Sequence, residues 1–559
     1  MLAVCSFLLA SGIMRPGPTT MIDLINEYQS DLRGLNRSYS VPLSLKSQDR
    51  MARYYADFRK KLDAVDFDRL DDSGKIDWIL LNGKVTHDSR AVDIETKQIK
   101  ESRELIPFSQ TVIDLAEQTR GGTRIDGKKA AVTLGGLVKE IKAAKEALAK
   151  AKPKRPVANR ASRQCDDLRG ALKGWNTFYT AYDPMFTWWT KTPYEEADKA
   201  ISDYSRFLKE QLAGIAPDDK WAIVGDPIGR EALLEELKAD YIPYTPEELI
   251  KIAEAEYKWC ETEMKRAAKE MNLGEDWHAA VEKVKNDYVE PGEQPQMIRE
   301  MAEEAIKFVE DNNLVTVPEL CKETWRMEMM SAERQKVNPF FLGGEVIQVS
   351  FPTDSMTNDE KLMSLRANNR HFARATVQHE LIPGHHLQGF MLNRYKTHRD
   401  MFGTPFWIEG WALYWEMLLW DKNFPQTPQN RVGMLWWRMH RCARIVFSLS
   451  FHLEKMSPQE CIDYLVEKVQ HERSTAEGEV RRSLNGDYGP LYQLAYMIGG
   501  LQFRAMETEF VKSGKMSYRQ FHDSTLHENQ MPIAVLHSLL GKEKLTRKYE
   551  PNWRFYPGL

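Results

Sequence analysis

Apolar residues recur at helical spacing along most of this chain, amid abundant Ala, Leu, Glu, Lys and Met, and few stretches alternate with period two. That pattern predicts a mainly α fold. The chain has 559 residues, more than the ~100–200 usual for one domain, so two or more lobes able to bury a large cleft are expected. We divide it into an N-terminal helical lobe over 18–235 and a second lobe over 236–559, with the boundary near VGDPIGREALLEELKADYIPYTPEE. The basic, Ala-rich LVKEIKAAKEALAKAKPKRP (137–156) reads as a helix with a solvated lysine face, followed by the connector KPKRPVANRAS. Before YTPEELIKIAEAEY, Thr245 is placed to cap a helix with Pro246 in its first turn. DPMFTWWTKTPYEEADKA carries a similar cap signal. GGEVIQVSFP (343–352) is the best strand candidate, with Val346, Gln348 and Ser350 alternating against Ile347, Val349 and Phe351. Such a small β element is either a backbone partner for an extended peptide or a buried hairpin without substrate contact.

A net charge of −4 gives no electrostatic footprint for nucleic acid or an anionic membrane. No stretch is long and apolar enough to span a bilayer, so a peptide or small amide is the expected partner; oligomeric state is left open. The six cysteines are widely spaced without a C-x-x-C pair, which argues for buried free thiols over a cysteine metal site. The opening MLAVCSFLLASG, within residues 1–17, reads as a clipped signal or a frayed helix. LAVC also resembles a weak lipobox ending at Cys5. Exported (periplasmic or lipid-anchored) and cytoplasmic locations both fit.

One stretch, QHELIPGHHLQ (378–388), looks like a stretched H-E-x-x-H helix. His379 and Glu380 are in place, but Pro383 stands four after His379, and the next histidines are His385 and His386. A six-residue helical step rotates by about 240°, and seven residues rise about 10 Å, so neither histidine can join His379 on one ion in a regular helix. Pro383 removes a donor and clashes with the preceding turn, while Gly384 tolerates unusual backbone angles. A break there would swing His385 or His386 back towards His379, leaving Glu380 as general base on an activated water. A hydrolytic zinc site needs three protein ligands and an open position. FWIEGWALYWE (406–416) offers the third, because Glu409 and Glu416 are seven apart on one face of an aromatic helix and need a partner there.

HELIPGHHLQ followed by EGWALYWE resembles the HExxPGHHLQ…EGWALYxE signature of the domain-of-unknown-function 885 (DUF885) family, a mostly bacterial group in the zincin-like metallopeptidase class. RIVFSLSFHLEKMSPQECIDYL, EVRRS with GPLYQLAYMIGG, and FHDSTLHENQMPIAVL resemble its later landmarks. The resemblance implies a two-lobed helical zincin-like fold with one Zn2+ ion, held by His379, Glu409 and His385 in preference to His386. It implies an oxyanion donor among Tyr496, Arg482, Tyr488 and Tyr492. Ser448 and Ser450 depart from the family pattern, which leaves a supporting carboxylate unassigned, and Ser483 and Tyr492 depart from it where the oxyanion donor is expected. His440 and His452 are weaker candidates to touch substrate, and His371 reads as structural. The expected function is zinc-dependent hydrolysis of a peptide or other amide, with Glu380 as base and Tyr496 or Arg482 at the oxyanion. A non-catalytic cleft-binding protein and a non-haem iron or manganese enzyme are the alternatives.

Overall fold

A computed structural model describes residues 20–558 apart from 123, 220, 336–339, 342, 486–487 and 551. The N-terminal segment 1–17, with its signal and lipobox readings, lies outside the described residues. Helix makes up 70% of the chain and strand 2%, so the mainly α expectation holds.

Local sequence chemistry sets many helix ends. Thr245 accepts a hydrogen bond from Glu248 N and Glu248 answers with its carboxylate, a reciprocal cap that starts helix Pro246–Glu270. Asp183 opens Pro184–Phe207, so the Thr192-Pro193 pair lies inside that helix and does not begin it. The connector read at 152–162 is shorter than expected: helix Gly127–Leu148 is followed by Arg155–Tyr179, whose first turn accepts Pro156 because its missing N–H would be unpaired there anyway. Helix Gly229–Ala239 occupies the region around the expected lobe boundary.

Two strands, β1 (Arg326–Met329) and β2 (Val346–Val349), form a parallel pair with Arg326 opposite Val346. Ile347 and Val349 point into the core while Val346 and Gln348 are half-buried, matching the predicted alternation.

Residues 99–224 build a core of their own around Trp175, Tyr179, Phe186 and Tyr204. Most of Met21–Val92, though not Leu43, which joins the first core, packs into the same core as Trp407, Trp411, Trp415 and Phe503 from the C-terminal half. Three helices of that half frame the HELIPGHH stretch. Pro405–Asp421 lies against Tyr492–Met506 at a glycine crossing, where a β carbon on Gly410 would come within 2.5 Å of the Gly499 backbone. Pro428–His452 crosses Arg370–Glu380 at Gly433, where a β carbon would overlap the His371 carbonyl.

Candidate metal centre

Helix Arg370–Glu380 stops one residue after His379. Leu381 departs to φ −107°, ψ −109°, the Ile382–Pro383 peptide is cis, and a new helix, His385–Leu392, begins at once. The break expected at Pro383-Gly384 is therefore present. Gly384 is required for a different reason than expected. Its φ is −80°, but a β carbon there would overlap the His379 carbonyl oxygen, and its N–H donates to Gln378 O at 3.0 Å. Trp411 Nε1 donates to Pro383 O at 2.9 Å and ties the turn to the Glu409 helix.

The break brings His379 and His385 together, with ring centroids 4.9 Å apart and planes at 86°. Glu409 Oε2 lies 3.6 Å from His379 Nε2 and 3.2 Å from His385 Nε2. Donor atoms of His379, Glu380 and His385 also fall within 4.8 Å of one another. Three donors each about 2.0–2.2 Å from one tetrahedral ion lie roughly 3.3–3.6 Å apart, and the two separations from Glu409 Oε2 to the histidines are of that size. His386 faces elsewhere. It is buried, with Nε2 3.0 Å from Cys321 O.

Around these groups the hydrogen bonds fix orientation. His379 Nδ1 donates to Glu416 Oε1 at 2.8 Å, and the same oxygen accepts from Arg441 at 3.0 Å. Glu409 and Glu416 thus hold opposite ring nitrogens of one histidine, a carboxylate–histidine arrangement in which Nδ1–H is committed to Glu416 and Nε2 is the nitrogen left for a cation. Gln388 Oε1 contacts His385 Nδ1 at 3.2 Å, while its amide reaches the Trp407 and Ile408 carbonyls. Tyr492 donates to Glu409 Oε1 at 2.6 Å.

Electrostatics mark the cluster as short of positive charge. Burial lowers the proton affinity of His379, yet hydrogen bonds to Glu409 and Glu416 overcome it and raise its pKa to about 9. Burial also opposes ionisation of Glu409, but His385 and His379 hold its carboxyl well below the ordinary range. Burial raises Glu380, against the pull of His379 and His385. A cation at the common focus would take the place of the protons that the histidines otherwise hold against these carboxylates.

Glu380, His385, Tyr492 and Tyr496 are the partly exposed members of the group. Tyr496 stacks on His379 at 6.1 Å and 17°, beneath Arg444 and Arg441 at 5.0 and 5.3 Å. Arg482 is engaged differently: it pairs with Glu479 at 2.8 Å and lies over Tyr488, which stacks on Tyr492 at 4.1 Å. Glu479 also binds Arg444 at 2.6 Å and is held near pKa 2, with burial opposed by Arg444 and Arg482. It and Glu416 are the carboxylates found around the site where Ser448 and Ser450 left one unassigned, and Ser483 donates to the Glu479 carbonyl at 2.6 Å. Tyr492 further lines a cavity of about 350 Å³ shared with Asp240, Tyr241 and Pro405.

His440 and His452 are core residues. His440 pairs with His471 at 2.8 Å, His452 is buried, and burial holds both below the usual histidine range. His371 is bound between Asp287 and Asn430 at 2.8 and 2.6 Å. One neighbour went unread in the sequence: Gly343, just before β2, lies so close to Glu380 that a β carbon would overlap its carboxylate. The Gly-Gly pair of 343–344 was its only trace.

A mainly helical protein whose broken helix gathers two histidines against two glutamates of a neighbouring helix is the class that fold and site define. The chain belongs to the DUF885 family, described as bacterial protein of unknown function, which matches residues 31–540. Two solved structures share the fold. A putative lipoprotein of unknown function from Shewanella oneidensis is 17% identical at TM-score 0.71, over 94% of this chain and 100% of that one. A putative lipoprotein from Colwellia psychrerythraea is 14% identical at TM-score 0.57, over 94% and 99%. No curated protein matches the chain.

Proposed function

We propose that this protein is a zinc-dependent hydrolase of peptide or other amide bonds. The observation that carries the reading is the convergence of His379 Nε2 and His385 Nε2 on Glu409 Oε2 at 3.6 and 3.2 Å, with Glu380 beside them. His379, His385 and Glu409 would hold the ion, a His-His-Glu set that leaves a fourth position open. When bound, zinc supplies Lewis acidity that polarises a carbonyl and makes a water acidic near neutral pH.

The remaining work falls to side chains. Glu380 accepts the water proton and returns it to the departing amine, and its partly buried carboxylate suits an acid–base group. Tyr496 donates to the developing oxyanion. Burial, reinforced by Glu409, keeps its phenol protonated well above ordinary pH, although Arg444 and Arg482 pull the other way. Tyr492 and Glu416 orient Glu409 and His379, and Arg482 acts at a remove by fixing Tyr488.

The test is peptide hydrolysis by metal-loaded protein. Glu380→Gln retains zinc and lowers kcat by about 10²–10⁴-fold. A fully active variant overturns the base, and activity indifferent to chelators overturns the metal mechanism. Iron or manganese found by elemental analysis, together with a Glu380→Gln variant that behaves like the unaltered protein, favours the redox alternative over zinc hydrolysis.

A further inference from the structure

Far from the HELIPGHH stretch, the hairpin joining helices Arg155–Tyr179 and Pro184–Phe207 turns its aromatic residues outward. Trp188 is 79% exposed, Tyr182 66%, Met185 62%, Phe178 50% and Trp189 39%. Trp175, Tyr179 and Phe186 directly behind them are fully buried, so the outward set is surplus to the lobe's own core. Arg163 on the first helix touches Asn485 of the C-terminal half at 2.9 Å. From there Tyr179 lies sixteen residues on, about 24 Å along the axis, so the tip projects well beyond that contact.

Charge at the tip is lopsided. The start of helix Gly127–Leu148 abuts it, with a Gly127 β carbon placed 2.8 Å from Phe186 Cα, and Lys128 Nζ sits 5.7 Å from the Trp189 ring. Lys128, Lys129, Lys173 and Lys191 are exposed and form no ion pair among the described residues. Asp126 and Asp183 also stand there and keep their charge while capping, each accepting two backbone N–H groups at 3.0–3.2 Å, so the lysines outnumber them. Glu195, with Glu196 beside it, lies about one turn beyond Lys191, on the side away from the hairpin. The cationic surroundings contrast with the whole chain's net charge of −4.

We propose that this tip is a docking surface for an anionic lipid bilayer. A projecting hairpin tip with outward aromatic side chains is placed to enter an interface. Trp and Tyr combine an apolar body with a polar edge suited to the headgroup level, and a ring of lysines adds attraction to anionic lipid. The proposal is independent of the hydrolase reading.

The experiment is co-sedimentation of the full chain with phosphatidylcholine vesicles, with and without phosphatidylglycerol. The protein partitions onto the anionic vesicles with a blue shift of tryptophan emission, and less onto the neutral ones. Trp188→Ser with Trp189→Ser, both exposed and so compatible with the fold, lowers partitioning about tenfold or more. Lys128→Gln and Lys129→Gln each lower it roughly fivefold. Absence of partitioning overturns the proposal, as does equal partitioning by the variants, which would assign binding to another segment. A tryptophan variant that abolishes self-association, in a chain that ignores vesicles, also overturns it in favour of a second copy as occupant.

Discussion

At the residue level, the centre depends on how one histidine is shared. His379 has Glu416 on Nδ1 and faces Glu409 through Nε2, so the two carboxylates that sequence spacing put on one helix face take different roles. That spacing was legible, because seven residues restore a helical face. The division of labour was not, since it depends on Arg441 reaching Glu416 from another helix. Likewise His385 and His386 are both within reach on paper, and only the turn geometry sends His386 to Cys321. Glu416→Gln keeps the size of the side chain but removes the negative charge from the one oxygen that accepts from both His379 and Arg441. Metal affinity, read by titration with zinc, is expected to fall about 10–100-fold. An unchanged affinity would make Glu416 a packing residue.

Elements bring these residues together through glycine. The Pro383-Gly384 break was readable because proline denies the helix a donor. The crossing of Pro405–Asp421 with Tyr492–Met506 was not, because Gly410, Gly499 and Gly500 look alike in sequence and only packing distinguishes them. A β carbon on Gly499 would overlap the Phe406 carbonyl, whereas on Gly500 its nearest neighbours stand at 3.4 Å, ordinary contact. Gly499→Ala should therefore destabilise by about 1–3 kcal/mol through overpacking and loosen Tyr492 from Glu409. Gly500→Ala should be near neutral, since any crowding is offset by better helix propensity. Urea midpoints of the two variants check this, and equal effects would argue against the close crossing. The misplaced connector at 152–162 has a similar origin, because prolines that end one helix also open the next.

Over the whole molecule, helices Met21–Ser38 and Asp72–Arg103 reach across the sequence to join the C-terminal core, a long-range packing that helical periodicity cannot announce. Buried histidines couple that core to pH. His522 donates through Nδ1 to Leu314 O at 2.7 Å and accepts at Nε2 from Tyr414 at 2.9 Å, a neutral ring with both nitrogens used. Burial lowers its pKa to about 3. The unfolded chain, with histidine near 6.5, then binds more protons below that pH, so stability falls as pH drops from about 6.5 towards 3. By pH 5 this one residue costs about 2 kcal/mol, and His522→Gln should show that much less acid sensitivity in urea midpoints at pH 7 and 5. The central claim, that the broken helix makes His385 the partner of His379 on a metal, is tested most directly by calorimetric zinc titration of metal-free protein. The account predicts one ion per chain, lost in His385→Ala and Glu409→Ala and retained in His386→Ala. Zinc uptake that survives His385→Ala but not His386→Ala, or no uptake by the unaltered chain, would contradict it.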